Sequence, residues 1–186
     1  MRYLYIDCDG VTLNTIKPAF LEMKELGVNL KDDDAITRYF EQCDWNKLIK
    51  IGGQINDSLN KIQILHESNE FKCVTIATHR CSFSEGNIKM NEFNNKIPDI
   101  NVITIPKKIP KHFALKAEGN ILIDDAKSKI VEWVNDGGIG ILFKESIDRL
   151  IYPDELDNNN YFITNDLLDA LVVNKLYKEK TYRKSL

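Results

Sequence analysis

The chain has 186 residues, enough for one domain with a real core and a small insertion. Hydrophobic residues make up 43% and charged residues 28%, and the net charge of −3 gives no general affinity for polymeric nucleic acid. No apolar stretch approaches the ~20 residues of a membrane span, and strand-like sequence starting at Tyr3 argues against a signal peptide. The four cysteines, at 8, 43, 73 and 81, form no CxxC pair and read as reduced thiols of a cytoplasmic protein.

Five apolar, β-rich runs are legible in chain order: Tyr3–Cys8, Cys73–Ala77, Asn101–Ile105, Ile121–Ile123 and Ile139–Phe143. Most are continuous rather than alternating, as expected for strands buried on both faces of a parallel sheet. Helical patterns lie between them. Ile55, Leu59, Ile62 and Leu65 precede the second run, and Phe113 to Leu115 mark a short helix before the fourth. Ile130, Val131 and Val134 mark another, stopped by Gly137-Gly138. The alternation predicts an α/β, doubly wound, Rossmann-like parallel sheet of about five strands.

From about Thr15 to Gly53 no strand is legible. Pro18 to Leu26, Asp34 to Phe40 and Trp45 to Ile49 read as helices. The expected organisation is a core of residues 1–14 and 54–186 with a small helical cap at 15–53. Residues 157–160 read as a polar loop, followed by a helix from Asn165 to Tyr177.

The chemistry is concentrated at the ends of the apolar runs. Asp7 and Asp9 end the first, with Gly10 where the chain leaves the strand, and Asp124 and Asp125 end the fourth. On neighbouring strands the acids would meet at one sheet edge. Two carboxylates about 4 Å apart repel by roughly 4 kcal/mol at an effective dielectric of about 20, so the arrangement calls for a divalent cation. Carboxylates, waters and phosphate oxygens are the ligands Mg²⁺ prefers. Thr78, followed by His79, ends the second run, where a hydroxyl and backbone N–H groups suit phosphate oxygens. Lys107, Lys108 and Lys111 follow the third.

The order acid-x-acid, hydroxyl, lysine, acid pair resembles the haloacid dehalogenase superfamily of phosphotransferases. Asp7-Cys8-Asp9-Gly10-Val11 matches the first motif, Thr78 the second, Lys111 (or Lys107 or Lys108) the third, and Ile121 to Asp125 the fourth. The resemblance implies that Asp7 is a nucleophile forming an aspartyl-phosphate and that Asp9 is the proton carrier. It further implies Mg²⁺ held by Asp7, the Asp9 carbonyl, and Asp124 or Asp125. Thr78 and the lysine would stabilise the transferred phosphoryl group.

The short helical cap, Leu122 to Asp125, and Glu132-Trp133 with Gly137 to Ile141 are similar to the 5′(3′)-deoxyribonucleotidases. That similarity implies a nucleoside monophosphate as substrate, with Trp45 and His79 as contacts. A sugar phosphate is the alternative substrate, and a non-catalytic binding module the alternative of another class. Lys129 stands where such proteins often have asparagine. The sequence leaves the oligomeric state open.

Overall fold

The computed structural model describes residues 1–155 and 160–183, without the side chains of 180–183. Its centre is one parallel sheet. The strands are β1 (Tyr3–Ile6), β2 (Cys73–Arg80), β3 (Asn101–Pro106), β4 (Ile121–Asp124), β5 (Ile139–Phe143) and β6 (Phe162–Thr164). Their spatial order is β3-β2-β1-β4-β5-β6, and every neighbouring pair is parallel. The architecture is α/β with six strands rather than about five. The sixth has only three residues, too few to show a period in sequence.

Both faces of the sheet are covered. Leu4, Ile6, Ile121, Ile123, Ile139 and Ile141 face one way, onto helices α4 (Ser58–Glu67), α5 (Phe83–Asn94) and α8 (Asp169–Arg183). Tyr5, Leu122 and Leu142 face the other, onto α7 (Lys127–Asn135) and the segment after the short helix α6 (Lys111–Ala114). The alternation of these side chains across a sheet covered twice explains the continuous apolar runs. Trp133 of α7 is fully buried, and its indole donates to the Asn120 carbonyl. The expected helix at 165–177 begins later, at Asp169. Of the expected polar loop, residues 157–159 lie outside the described residues.

Three helices separate β1 from α4: α1 (Ile16–Glu25), α2 (Asp33–Gln42) and α3 (Trp45–Gly52). Asp32 caps α2 by accepting from the amides of Asp34 and Ala35, and Asp44 caps α3 by accepting from that of Lys47. Ala19, Met23, Tyr39, Trp45 and Leu48 form a small apolar cluster of their own, with Ile88 of α5 packed against it. The chain enters and leaves this segment at one place. Leu13 and Gln54 form an antiparallel bridge, and the Asn14 amide donates to the Gly53 carbonyl.

The strand order reverses between β1 and β4: the chain runs outward from β1 through β2 to β3, then returns to place β4 on the other side of β1. Ligands in such sheets bind outside the carboxyl ends of the strands at this point. Ile6 is level with Ile123, and the Asp7 amide donates to the Ile123 carbonyl at 2.9 Å. The register therefore brings the first acid pair beside the second.

Candidate active site

Asp7 leaves β1 buried, and Asp124 ends β4 with no exposed surface. Lys111, at the start of α6 and 2% exposed, lies between them. Its Nζ is 2.9 Å from Asp7 Oδ1 and 2.6 Å from Asp124 Oδ2. Asp7 Oδ1 also accepts from the Cys8 amide at 2.8 Å, and Asp124 Oδ1 accepts from the Ala126 amide at 2.9 Å. Of the three candidate lysines, Lys111 is the one at the acids. Lys107 reaches Thr37 Oγ1 of α2 at 2.8 Å, and Lys108 is exposed.

Asp7, Asp124 and Asp125 each present a carboxylate oxygen, and the three atoms lie within 4.8 Å of one another. Three hard oxygen donors at this spacing fit Mg²⁺. The Asp9 carboxylate is not among them. Its Oδ1 accepts from Thr15 Oγ1 at 2.6 Å, and its Oδ2 lies 2.5 Å from Lys89 Nζ. Any part Asp9 takes in holding a metal falls to its backbone carbonyl. Gly10 makes room for the triad. Its φ is +77°, and a Cβ there would sit 2.3 Å from Asp125 Oδ2. Only glycine meets both demands.

Charge sets the behaviour of each acid. Burial pushes the Asp7 carboxyl up. The ammoniums of Lys111 and Lys129, with hydrogen bonds from Lys111 and Cys8, overcome that and hold it below the usual carboxylate range. Asp124 is raised by burial and by Asp7, and Asp125 is pushed up to about 7 by burial and by its two acidic neighbours.

The raised Asp125 carries a stability consequence. The folded protein keeps a proton there that the unfolded chain loses near pH ~3.9. Its contribution is full below that value and is lost as pH rises through about 7. In EDTA, urea unfolding of the wild type should weaken across this window by up to ~1.4 kcal/mol per pH unit relative to Asp125→Asn. Parallel pH profiles for the two proteins would contradict this.

Thr78 is fully buried and lies inside β2, which runs on to Arg80. Its hydroxyl is 3.4 Å from Asp9 Oδ2 and 3.1 Å from the His79 carbonyl. His79 Nε2 is 2.9 Å from the Ile109 carbonyl, and burial pushes its imidazole pKa down. Trp45 is 3% exposed. Its ring stacks on Phe40 at 5.6 Å, its indole donates to the Phe40 carbonyl, and Lys89 Nζ lies 4.1 Å from its centroid. It is thus a packed wall residue, not the open stacking platform expected of a lone aromatic.

Sequence reasoning missed three contributors. Lys89 of α5 is 1% exposed and bridges Asp9 Oδ2 and Glu85 Oε1, each at 2.5 Å. Burial raises the Glu85 carboxyl pKa, and its Oε2 accepts from the Cys81 amide at 2.6 Å. Lys129 of α7 lies 3.6 Å from both Asp7 Oδ2 and Asp124 Oδ1. A capping-box spacing, Ser82-Phe83-Ser84-Glu85, is the local signal that apolar periodicity does not supply for α5, and the Glu85 amide does donate to Ser82 Oγ. The site therefore holds three lysines against its carboxylates where the sequence suggested one.

A cavity of about 370 Å³ opens over these groups. Asp7, Asp9, Asp125, His79 and Lys129 line its floor, and Ile16, Phe40 and Trp45 of the inserted helices line its apolar side. Lys107 and Glu85 also reach it. Its size falls within the range of small-molecule pockets. The four cysteines are free thiols, Cys81 lying on the cavity wall. Among the described residues no helix is long and apolar enough to cross a membrane.

No family model and no curated protein matches the chain. Solved structures do. A HAD-superfamily hydrolase, subfamily IA, variant 1, from Geobacter sulfurreducens is 12% identical, with 93% of this chain and 99% of that one covered and a TM-score of 0.58. A haloacid dehalogenase-like hydrolase from Streptococcus pneumoniae is 17% identical over 93% of this chain and 98% of that one, TM-score 0.54. A magnesium-bound HAD-hydrolase from Bacillus subtilis is 13% identical over 94% and 98%, TM-score 0.57. At such identities the likeness speaks to architecture, and the chain has the fold of the haloacid dehalogenase superfamily hydrolases.

Proposed function

We propose that this chain is a Mg²⁺-dependent phosphomonoester hydrolase acting through a phosphorylated Asp7. The observation that carries the reading is the buried Asp7 carboxylate on a cavity floor, with Lys111 on one oxygen and the other, Oδ2, facing Lys129 at 3.6 Å. A carboxylate kept ionised with one weakly engaged oxygen is equipped to attack an electrophile.

Asp7 Oδ2 forms a bond to phosphorus while the bond to the leaving oxygen breaks, and Asp9 gives that oxygen a proton. Asp9 then takes a proton from water as the water oxygen attacks phosphorus. The bond to Asp7 breaks, and inorganic phosphate leaves. Lys111 and Thr78 hold the charge and geometry of the transferred group. Mg²⁺ bound by Asp7, Asp124 and Asp125 would neutralise phosphate charge and orient the group for in-line attack. Thr15 and Lys89 grip the Asp9 carboxylate from either side, so its aim depends on the start of the inserted segment and on α5.

Residues 15–53 act as a cap over the cavity, and the substrate is a small phosphorylated molecule rather than a polymer or a membrane. Each cap residue lining the cavity is apolar, and Phe40, the less buried of its two aromatics, favours a planar base and hence a nucleoside monophosphate. The second reading is a sugar phosphate. Lys107, His79 and Glu85 offer polar contacts for hydroxyls.

A panel of phosphomonoesters assayed for phosphate release with Mg²⁺ tests both. Nucleoside monophosphates should be turned over with kcat/KM at least ~10-fold above sugar phosphates, about 1.4 kcal/mol of discrimination. The reverse order would select the second reading. No release from any member would reject the hydrolase and leave a binding module.

A further inference from the structure

We propose that Lys129 is a tethered counter-ion that a divalent metal must displace from the Asp7–Asp124 carboxylates, so that this side chain sets how tightly the site takes Mg²⁺. The inference rests on the reading of the triad as a metal site. The two lysines at the triad are held differently. Lys111 is 2% exposed and bonds at 2.6 and 2.9 Å to one oxygen of each acid. Lys129 faces the opposite oxygens, Asp7 Oδ2 and Asp124 Oδ1, at 3.6 Å each. That distance is ion pairing without a formed hydrogen bond. Those are the oxygens Lys111 leaves open, and a metal held among the three acids would bring a second cation against the ammonium there.

Two cations cannot share that position, because like charges at contact repel strongly in a buried site. Lys129 is free to yield. Its side chain is 32% exposed, it extends from the first turn of α7, and it lines the cavity. Its flexible four-carbon stem lets the ammonium withdraw into that cavity, where a phosphoryl group would receive it. Lys129 thus shields the acids when no metal is bound and passes its charge to the substrate when one is.

The test is calorimetric titration of Mg²⁺ alone, without phosphate, into wild-type protein and the neutral variants Lys129→Gln and Lys129→Met, with Lys129→Arg keeping the charge. Whichever neutral variant folds should bind Mg²⁺ at least ~10-fold tighter than wild type, and Lys129→Arg no tighter. Equal or weaker binding by the neutral variants would overturn the inference while leaving the metal-dependent reading intact. Absence of Mg²⁺ binding by every protein would overturn both.

Discussion

The Asp7→Asn substitution should abolish phosphate release while leaving the fold in place. The amide keeps the shape of the side chain, and its oxygen can still accept from the Cys8 amide and Lys111, the two donors on Oδ1. It cannot offer an anionic oxygen to phosphorus. Loss of a nucleophile that acts as one unit with its neighbours commonly costs several orders of magnitude, so turnover should fall by roughly 10⁴-fold or more. Lys111 retains Asp124 as a partner at 2.6 Å, so no buried ammonium is stranded. A melting curve close to wild type would accompany the lost activity. Turnover within about tenfold of wild type would remove Asp7 from the mechanism.

The second large effect concerns stability. Lys89→Met keeps the volume of a side chain that is 1% exposed but removes the cation between Asp9 and Glu85. Removing one partner of a buried ion pair costs about 3–5 kcal/mol, because the charge left behind has no compensation. For a chain of this size the melting temperature should drop by about 10 °C. Adding Glu85→Gln to Lys89→Met should recover part of the loss, since the amide oxygen can still accept from the Cys81 amide without carrying charge. Thermal unfolding of the single and double variants measures this as a coupling between neighbours. A single variant that melts with the wild type would show that the cluster contributes nothing to holding α5 against Asp9.

Much of the fold could be read from the chain. Strands buried on both faces leave continuous apolar runs, and these marked β1, β2, β4 and β5 to within a few residues, while Asn101–Ile105 marked the partly exposed edge strand β3. The three inserted helices were read from the sequence close to their observed places. Helix α5 was not, because its buried face carries Glu85, Gly86 and Lys89 alongside Phe93. A helix that turns charges inward defeats a search for apolar periodicity.

The same fact explains what the candidate site withheld. Acid pairs at strand ends are a local pattern, and Asp7, Asp124 and Asp125 do meet. Lys89 and Lys129 are ordinary helix lysines in sequence, and only the fold gives them carboxylate neighbours. The choice of Lys111 over Lys107 and Lys108 likewise depended on which lysine the turn into α6 directs inward. Trp45 was legible as an aromatic of the insertion, but not as one already engaged by Phe40 and Lys89.

The central claim is that Asp7 carries the phosphoryl group. Its most direct test is acid-quenched mass spectrometry of wild-type protein mixed with Mg²⁺ and a turned-over phosphomonoester. Acid stabilises an acyl phosphate against the water attack that Asp9 would otherwise assist. The account predicts a phosphorylated peptide containing Asp7, absent from Asp7→Asn. Steady release of phosphate with no phosphorylation at Asp7 at any quench time, and with Asp7→Asn still active, would contradict it.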